Sequence, residues 1–314
     1  ADAVAEGMLE QLRYLVAAAR AASLGVVAIS ASDNKQVVRD IIADCFRADV
    51  IEHGVPGLTD TQVDEVVATF GELTHLAHNS RSRELLRRPV IIDLFVRGGI
   101  SGVPLSDADA MQQVWRGLVR RREQSDRGTP DARDLAMLRL ADLALFRGDP
   151  LHTVGAIDPV ALDGLRRDGL LRTPVDDPFK IGPEFAHDEV RRYAVARFLL
   201  ADTDLTAKLF NAGVPRWTLG AARLACQTRL AAPDSVANPL HGRFARLQAV
   251  FDALVTAGHG ERWGDVPGEA LLTLGNPESV LRDAWVELRA DNDSGLRRLA
   301  RLIDQRLRDG DGLV

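Results

Sequence analysis

Residues 159–200, PVALDGLRRDGLLRTPVDDPFKIGPEFAHDEVRRYAVARFLL, decide how the rest of the chain is read. PVALDGLRRDG predicts a helix, and LLRTP and FKIGPEF, on either side of VDDP, predict two short strands around a turn. From Val190 onward the apolar residues Val190, Tyr193, Ala194 and Phe198 recur at helical spacing, while Arg191, Arg192 and Arg197 fall mainly on the other side. A buried amphipathic helix follows. Phe185 can staple its entry, and Asp188 and Glu189 suit the positive end of its macrodipole. His187 is needed for none of this. Upstream, helices at about 107–123 and 131–147 are separated by the polar break QSDRGTP. Helices followed by a β-ribbon make a winged helix, here over residues 103–203.

Working outward, the segment before it is helical from GVPGLTDTQVDEVVATF onward. Thr59 with Gln62 forms a capping-box pattern, Ser106 with Asp109 repeats it, and Pro89 stands at the first position of the helix PVIIDLF. Residues 54–102 therefore predict a small helical bundle, closed by the Gly- and Pro-rich stretch at 100–105. Earlier still, GVVAIS (25–30), the helix ASDNKQVVRDIIADCFR capped by Asp33 or Asn34, and DVIEH read as β-α-β. This arrangement implies a parallel sheet whose other strands lie upstream, with residues 1–53 as its remnant. After residue 203 only helices are expected. Residues 204–314 form an arm of antiparallel pairs, without a clean repeat period.

A 314-residue chain with 46% apolar composition can bury sizeable cores. The formal charge of −6 and a pI of about 5.7 argue against a generally basic nucleic-acid surface. Cys45 and Cys226 lie far apart in apolar helical contexts and read as small hydrophobes in a reducing compartment. There is no secretory signal and no apolar run long enough for a bilayer, so a cytoplasmic protein without membrane partners is expected. Both ends look cut from a longer protein.

The order of parts, a sheet remnant, a helical bundle, a winged helix and a helical arm, resembles the regulatory ATPases called STAND NTPases, the NACHT-like and apoptotic-ATPase-like switches. The resemblance covers nearly the whole chain and implies a mainly α fold. LLRRPVIIDLF resembles the lid motif whose Pro packs against the nucleotide base, which places Pro89 there. FAHDEVRRYAVARFL resembles the winged-helix motif whose His reaches a nucleotide phosphate, which assigns that role to His187. GVVAIS resembles the strand before sensor 1, making Ser30 and Ser32 candidate nucleotide contacts, although this chain has SASDN where members often carry an Arg. Asp2 falls where a remnant of the magnesium-linked acid would lie. The implied cofactor is ADP or ATP with magnesium in the intact parent. Implied partners are the upstream P-loop domain, a ligand or protein sensed by the arm, and further copies of the protein on activation. The resemblance implies a setting in bacterial defence or in regulation.

No G-x-x-x-x-G-K-[ST] occurs, so the nest and Lys that hold β- and γ-phosphates are missing from this chain, which alone is expected to be neither an ATPase nor a tight nucleotide binder. Asp188 and Glu189 would also repel a phosphate at His187 unless turned away. His75 and His78 share a helical face at i and i+3, but no acid or Cys completes a metal site. The Arg-rich runs at 120–122 and 297–308 read as solvated faces paired with acids, and no G-x-S-x-G is present. The alternative is a winged-helix DNA reader without nucleotide, with PVALDGLRRDGLL as recognition helix and Arg166 and Arg167 on phosphates. Asp163 and Asp168 flank those two arginines and make the helix a poor groove reader.

Overall fold

The computed structural model describes residues 3–28, 35–47, 50–51, 57–121, 125–146, 153, 155–173, 182–236 and 238–308, and the chain divides into two compact units, Ala1–Pro56 and Gly57–Val314. The first holds helices α1 (Ala3–Ala21) and α2 (Lys35–Phe46), packed together with Val16 and Ile41 buried and the Arg20 guanidinium donating to the Cys45 carbonyl at 2.5 Å. Residues 24–28 and 50–51, where strands were expected, form no ladder, and among the described residues there is no sheet. A strand is defined by a neighbour's N–H and C=O groups. The expected partner strands were placed outside this chain.

The second unit is helical, and its local signals act as their chemistry dictates. In α3 (Asp60–Thr69) the Thr59 hydroxyl accepts from the Gln62 N–H at 3.3 Å while the Gln62 side chain accepts from the Thr59 N–H at 2.9 Å, a complete capping box. Short α4 (Thr74–Ala77) leads to α5 (Ser80–Leu86), capped by Asn79, and then to α6 (Pro89–Gly98), which opens on Pro89 and stops at left-handed Gly99, φ 60°. Ser106 caps α7 (Asp107–Val114), accepting from the Asp109 N–H at 3.1 Å.

The helix expected over 107–123 ends sooner. Its last turn, Trp115–Val119, widens to a π-turn closed by the Arg120 N–H on the Trp115 carbonyl at 2.9 Å. A Cβ on Gly117 would stand 1.9 Å from the Gly98 carbonyl oxygen, so only glycine lets α6 and the π-turn meet.

Next come α8 (Pro130–Phe146) and α9 (Pro159–Arg167), the latter capped by Asp158. Of the expected ribbon, the described part is one antiparallel bridge, Leu171 to Phe185. It is flanked by Arg172 N–H to Glu184 carbonyl (2.8 Å) and Ala186 N–H to Leu170 carbonyl (2.9 Å); residues 174–181, with the VDDP turn, lie outside the described residues. Then follow α10 (Asp188–Leu200), α11 (Ala207–Asn211), α12 (Leu219–Ala231), α13 (Arg243–Thr256), α14 (Arg262–Leu272), α15 (Glu278–Asp283) and α16 (Trp285–Arg308). The last is broken at Ala290–Asp293, where Asp291, Asn292 and Asp293 take left-handed φ angles.

One hydrophobic cluster runs from Val63 to Leu299 and joins the segments expected as lid, winged helix and arm. Trp115 sits edge-on to Tyr193 at 5.5 Å, and α12 packs on both α10 and α14. Among the described residues no helix is long and apolar enough to cross a membrane.

Candidate functional site

Pro89 and His187 both stand at helix starts. Pro89 is the first residue of α6, which fixes its φ and needs no N–H there. The residue before it, Arg88, makes no cap, and its guanidinium instead donates to the Glu189 carboxylate at 3.3 Å. Glu189 lies two residues after His187, so a single ion pair ties the start of α6 to the start of α10 across 101 residues of chain.

His187 occupies the N-cap position of α10 in extended conformation but its side chain caps nothing. Among the described residues the imidazole has no hydrogen-bond partner, and it is only half-buried, so its ring nitrogens are available to another group. The neighbouring acids are engaged elsewhere. Asp188 pairs with Arg191 at 3.0 Å, and Glu189 with Arg88 and, at 3.7 Å, with Arg192. The two charges that would repel an anion at His187 are thereby drawn toward guanidiniums.

Asp2, Ser30 and Ser32 lie outside the described residues. His78, at the C-cap of α4, keeps its Nδ1 2.7 Å from the Thr74 carbonyl, and the buried Nε2 of His75 has no partner among the described residues. No group of three or more His, Cys, Asp or Glu side chains among the described residues is arranged to hold a metal. Burial pushes the Cys226 thiol well up, which leaves it a packing residue rather than a nucleophile. Burial likewise pushes the Tyr193 phenol up to about 12, against the opposing charge of Arg197.

On α9, Arg167 is paired with Asp163 at 2.8 Å. Asp168 is buried and accepts from Arg133 and Arg127, each at 2.5 Å, with Arg121 at 3.7 Å. Arg120 reaches Asp131 at 2.5 Å and Asp134 at 2.6 Å, and Asp134 also accepts from the Trp115 indole at 2.7 Å. Arg298 pairs with Asp252 at 2.9 Å and Arg301 with Asp265.

Sequence reasoning singled out neither Arg88 nor Glu189 as a partner of the other. The only available signal was their position, one next to Pro89 and one next but one to His187. A charged residue beside a helix start has many local explanations, and nothing in the spacing reveals a partner 101 residues away. The chain matches no known family model, no curated protein and no solved structure.

Proposed function

We propose that the chain is the regulatory portion of a STAND-type signalling switch that closes over ADP, opens when its helical arm senses a ligand, and then exchanges ADP for ATP and assembles. The observation that carries this reading is the Arg88–Glu189 pair at 3.3 Å, which brings the starts of the Pro89 helix and the His187 helix together. A nucleotide whose base rests on Pro89 and whose phosphate is reached by His187 requires those two starts to be neighbours. The unpartnered imidazole, with Asp188 and Glu189 held by arginines, supplies the donor. The P-loop that grips the phosphates belongs to a portion outside this chain, so nucleotide binds at full strength only in the longer protein. Energetically the device is a two-state equilibrium biased by differential binding of ADP and of the sensed ligand.

The first test is chromatography of the nucleotide released when the longer protein is purified and denatured. One ADP per chain is the expected result, and a folded protein that is empty and takes up neither ADP nor ATP would overturn the reading. His187→Ala in the same protein is expected to speed ADP exchange and raise basal activity. Exchange at the wild-type rate would remove His187 from the site. For the DNA alternative, α9 offers Arg166, whose Nε has no partner among the described residues, and Arg167, which pairs with Asp163; specific duplex binding that persists at moderate salt would favour it.

A further inference from the structure

The Arg88–Glu189 contact is one edge of a small cleft with a cavity of about 30 Å³. Its polar walls come from four places in the second unit: Arg88 before α6, Asp107 on α7, Glu189 and Arg192 on α10, and Gly220 and Arg223 on α12. Three guanidiniums share two carboxylates there, leaving one positive charge in excess. The sharing is loose, with Arg88–Glu189 at 3.3 Å, Arg192–Glu189 at 3.7 Å, and both Arg88 and Arg223 at 3.9 Å from Asp107. Charge-assisted hydrogen bonds of good geometry fall at about 2.7–2.9 Å.

Arg192 and Arg223 donate no hydrogen bond to any described residue, and the Arg223 Nε is buried without a partner. Gly220 completes the arrangement. A Cβ there would lie 3.3 Å from the Arg192 Cδ and 3.6 Å from its Nε, so the missing side chain leaves the space in which Arg192 reaches across α12. Glu269, outside the cleft lining, also attracts Arg223, and burial raises its carboxyl above the usual range.

We propose that this cleft binds a phosphate group, with Arg88, Arg192 and Arg223 as its donors. The cavity exceeds the roughly 10–15 Å³ that one water requires, so one oxygen enters it. The remaining oxygens meet the guanidiniums at the mouth, where each of the three side chains is about a third exposed. Three forks arriving from three different elements suit a tetrahedral anion with acceptors in several directions. Free phosphate and the phosphate of a nucleotide share this chemistry, and the site needs no P-loop.

The test is calorimetric titration of the 314-residue chain with sodium phosphate at neutral pH, ionic strength held constant with sodium chloride, and parallel titrations with AMP and ADP. Saturable binding of one phosphate is expected, weakened at least tenfold in Arg223→Met and in Arg192→Met. Gly220→Ala is the second variant. It adds a methyl against Arg192 and a better helix former to α12, so affinity is expected to fall while the thermal midpoint holds or rises. Tighter binding of ADP than of phosphate identifies the nucleotide as the source, and equal affinity identifies free phosphate. No saturable heat with the wild-type chain, or equal affinity in wild type and in variants with unchanged circular dichroism, would overturn the site. An empty longer protein, which sinks the ADP switch, leaves this titration unaffected.

Discussion

Two clusters of arginines in the second unit differ in burial and in how fully their hydrogen bonds are made. Around Asp168 the carboxylate is buried and the guanidiniums of Arg133 and Arg127 reach it at 2.5 Å, while Arg133 spends its other donors on the Val119, Leu118 and Arg127 carbonyls. Around Glu189 and Asp107 the same two residue types meet at 3.3–3.9 Å and leave donors unused. Both clusters pair arginines with carboxylates, and burial together with completeness of hydrogen bonding separates the one that holds the fold from the one with donors to spare.

The comparison is broken most sharply at Asp168. Asp168→Asn leaves the buried Arg133 charge uncompensated and is expected to cost about 3–5 kcal/mol in urea unfolding. A loss below about 1 kcal/mol would mean that the carbonyls alone satisfy Arg133. Arg243 tests that limit directly. Among the described residues this buried guanidinium donates to carbonyls alone, those of Leu230, Ala232, Pro233, Asn238 and Pro239, and forms no ion pair with a carboxylate. Arg243→Met is expected to cost about 2–3 kcal/mol by orphaning those acceptors. An unchanged unfolding midpoint would show that the 232–239 loop satisfies itself with water.

A smaller effect comes from Glu269, whose folded-state pKa is raised first by desolvation, with Asp265 adding to it and Arg223, Arg262 and Arg306 opposing. The folded protein therefore holds this proton more tightly than the unfolded chain. The contribution to stability is present below the ordinary value of 4.5 and is lost as pH rises through the raised one. Glu269→Gln should accordingly stabilise the protein at pH 7 and not at pH 3, measured as a difference of melting temperatures. A loss at pH 7 would mean that its attraction to Arg223 outweighs burial. Smallest of all, Arg223→Met should change stability by less than about 1 kcal/mol, because loose and partly exposed pairs contribute little. A large loss would move the cleft into the class of the Asp168 cluster.

What was legible in the sequence was local. The capping box at Thr59 and Gln62, the cap at Ser106, Pro89 at a first helical position and the limits of α8 to α10 depend on residues within a turn of each other. The apolar period of α10 also pointed correctly at Val190, Tyr193 and Ala194 as buried. Pairings across long stretches were not legible, among them Arg133 with Asp168 and Arg88 with Glu189, because a charge pattern does not name its partner. Glycine carries two meanings here: Gly102 belongs to the Gly- and Pro-rich stretch at 100–105, while Gly98 is where α6 touches Gly117 of the π-turn. A glycine marks conformational freedom in one setting and the closest approach of two backbones in another.

The hydrophobic cluster that runs without interruption from Val63 to Leu299 has a mechanical corollary. From α14 the packed contacts lead through α12 and α7 to the helix that carries Pro89, with side chains rather than loops at each joint. The arm and the Pro89 helix thus share one core and are not joined by a linker alone.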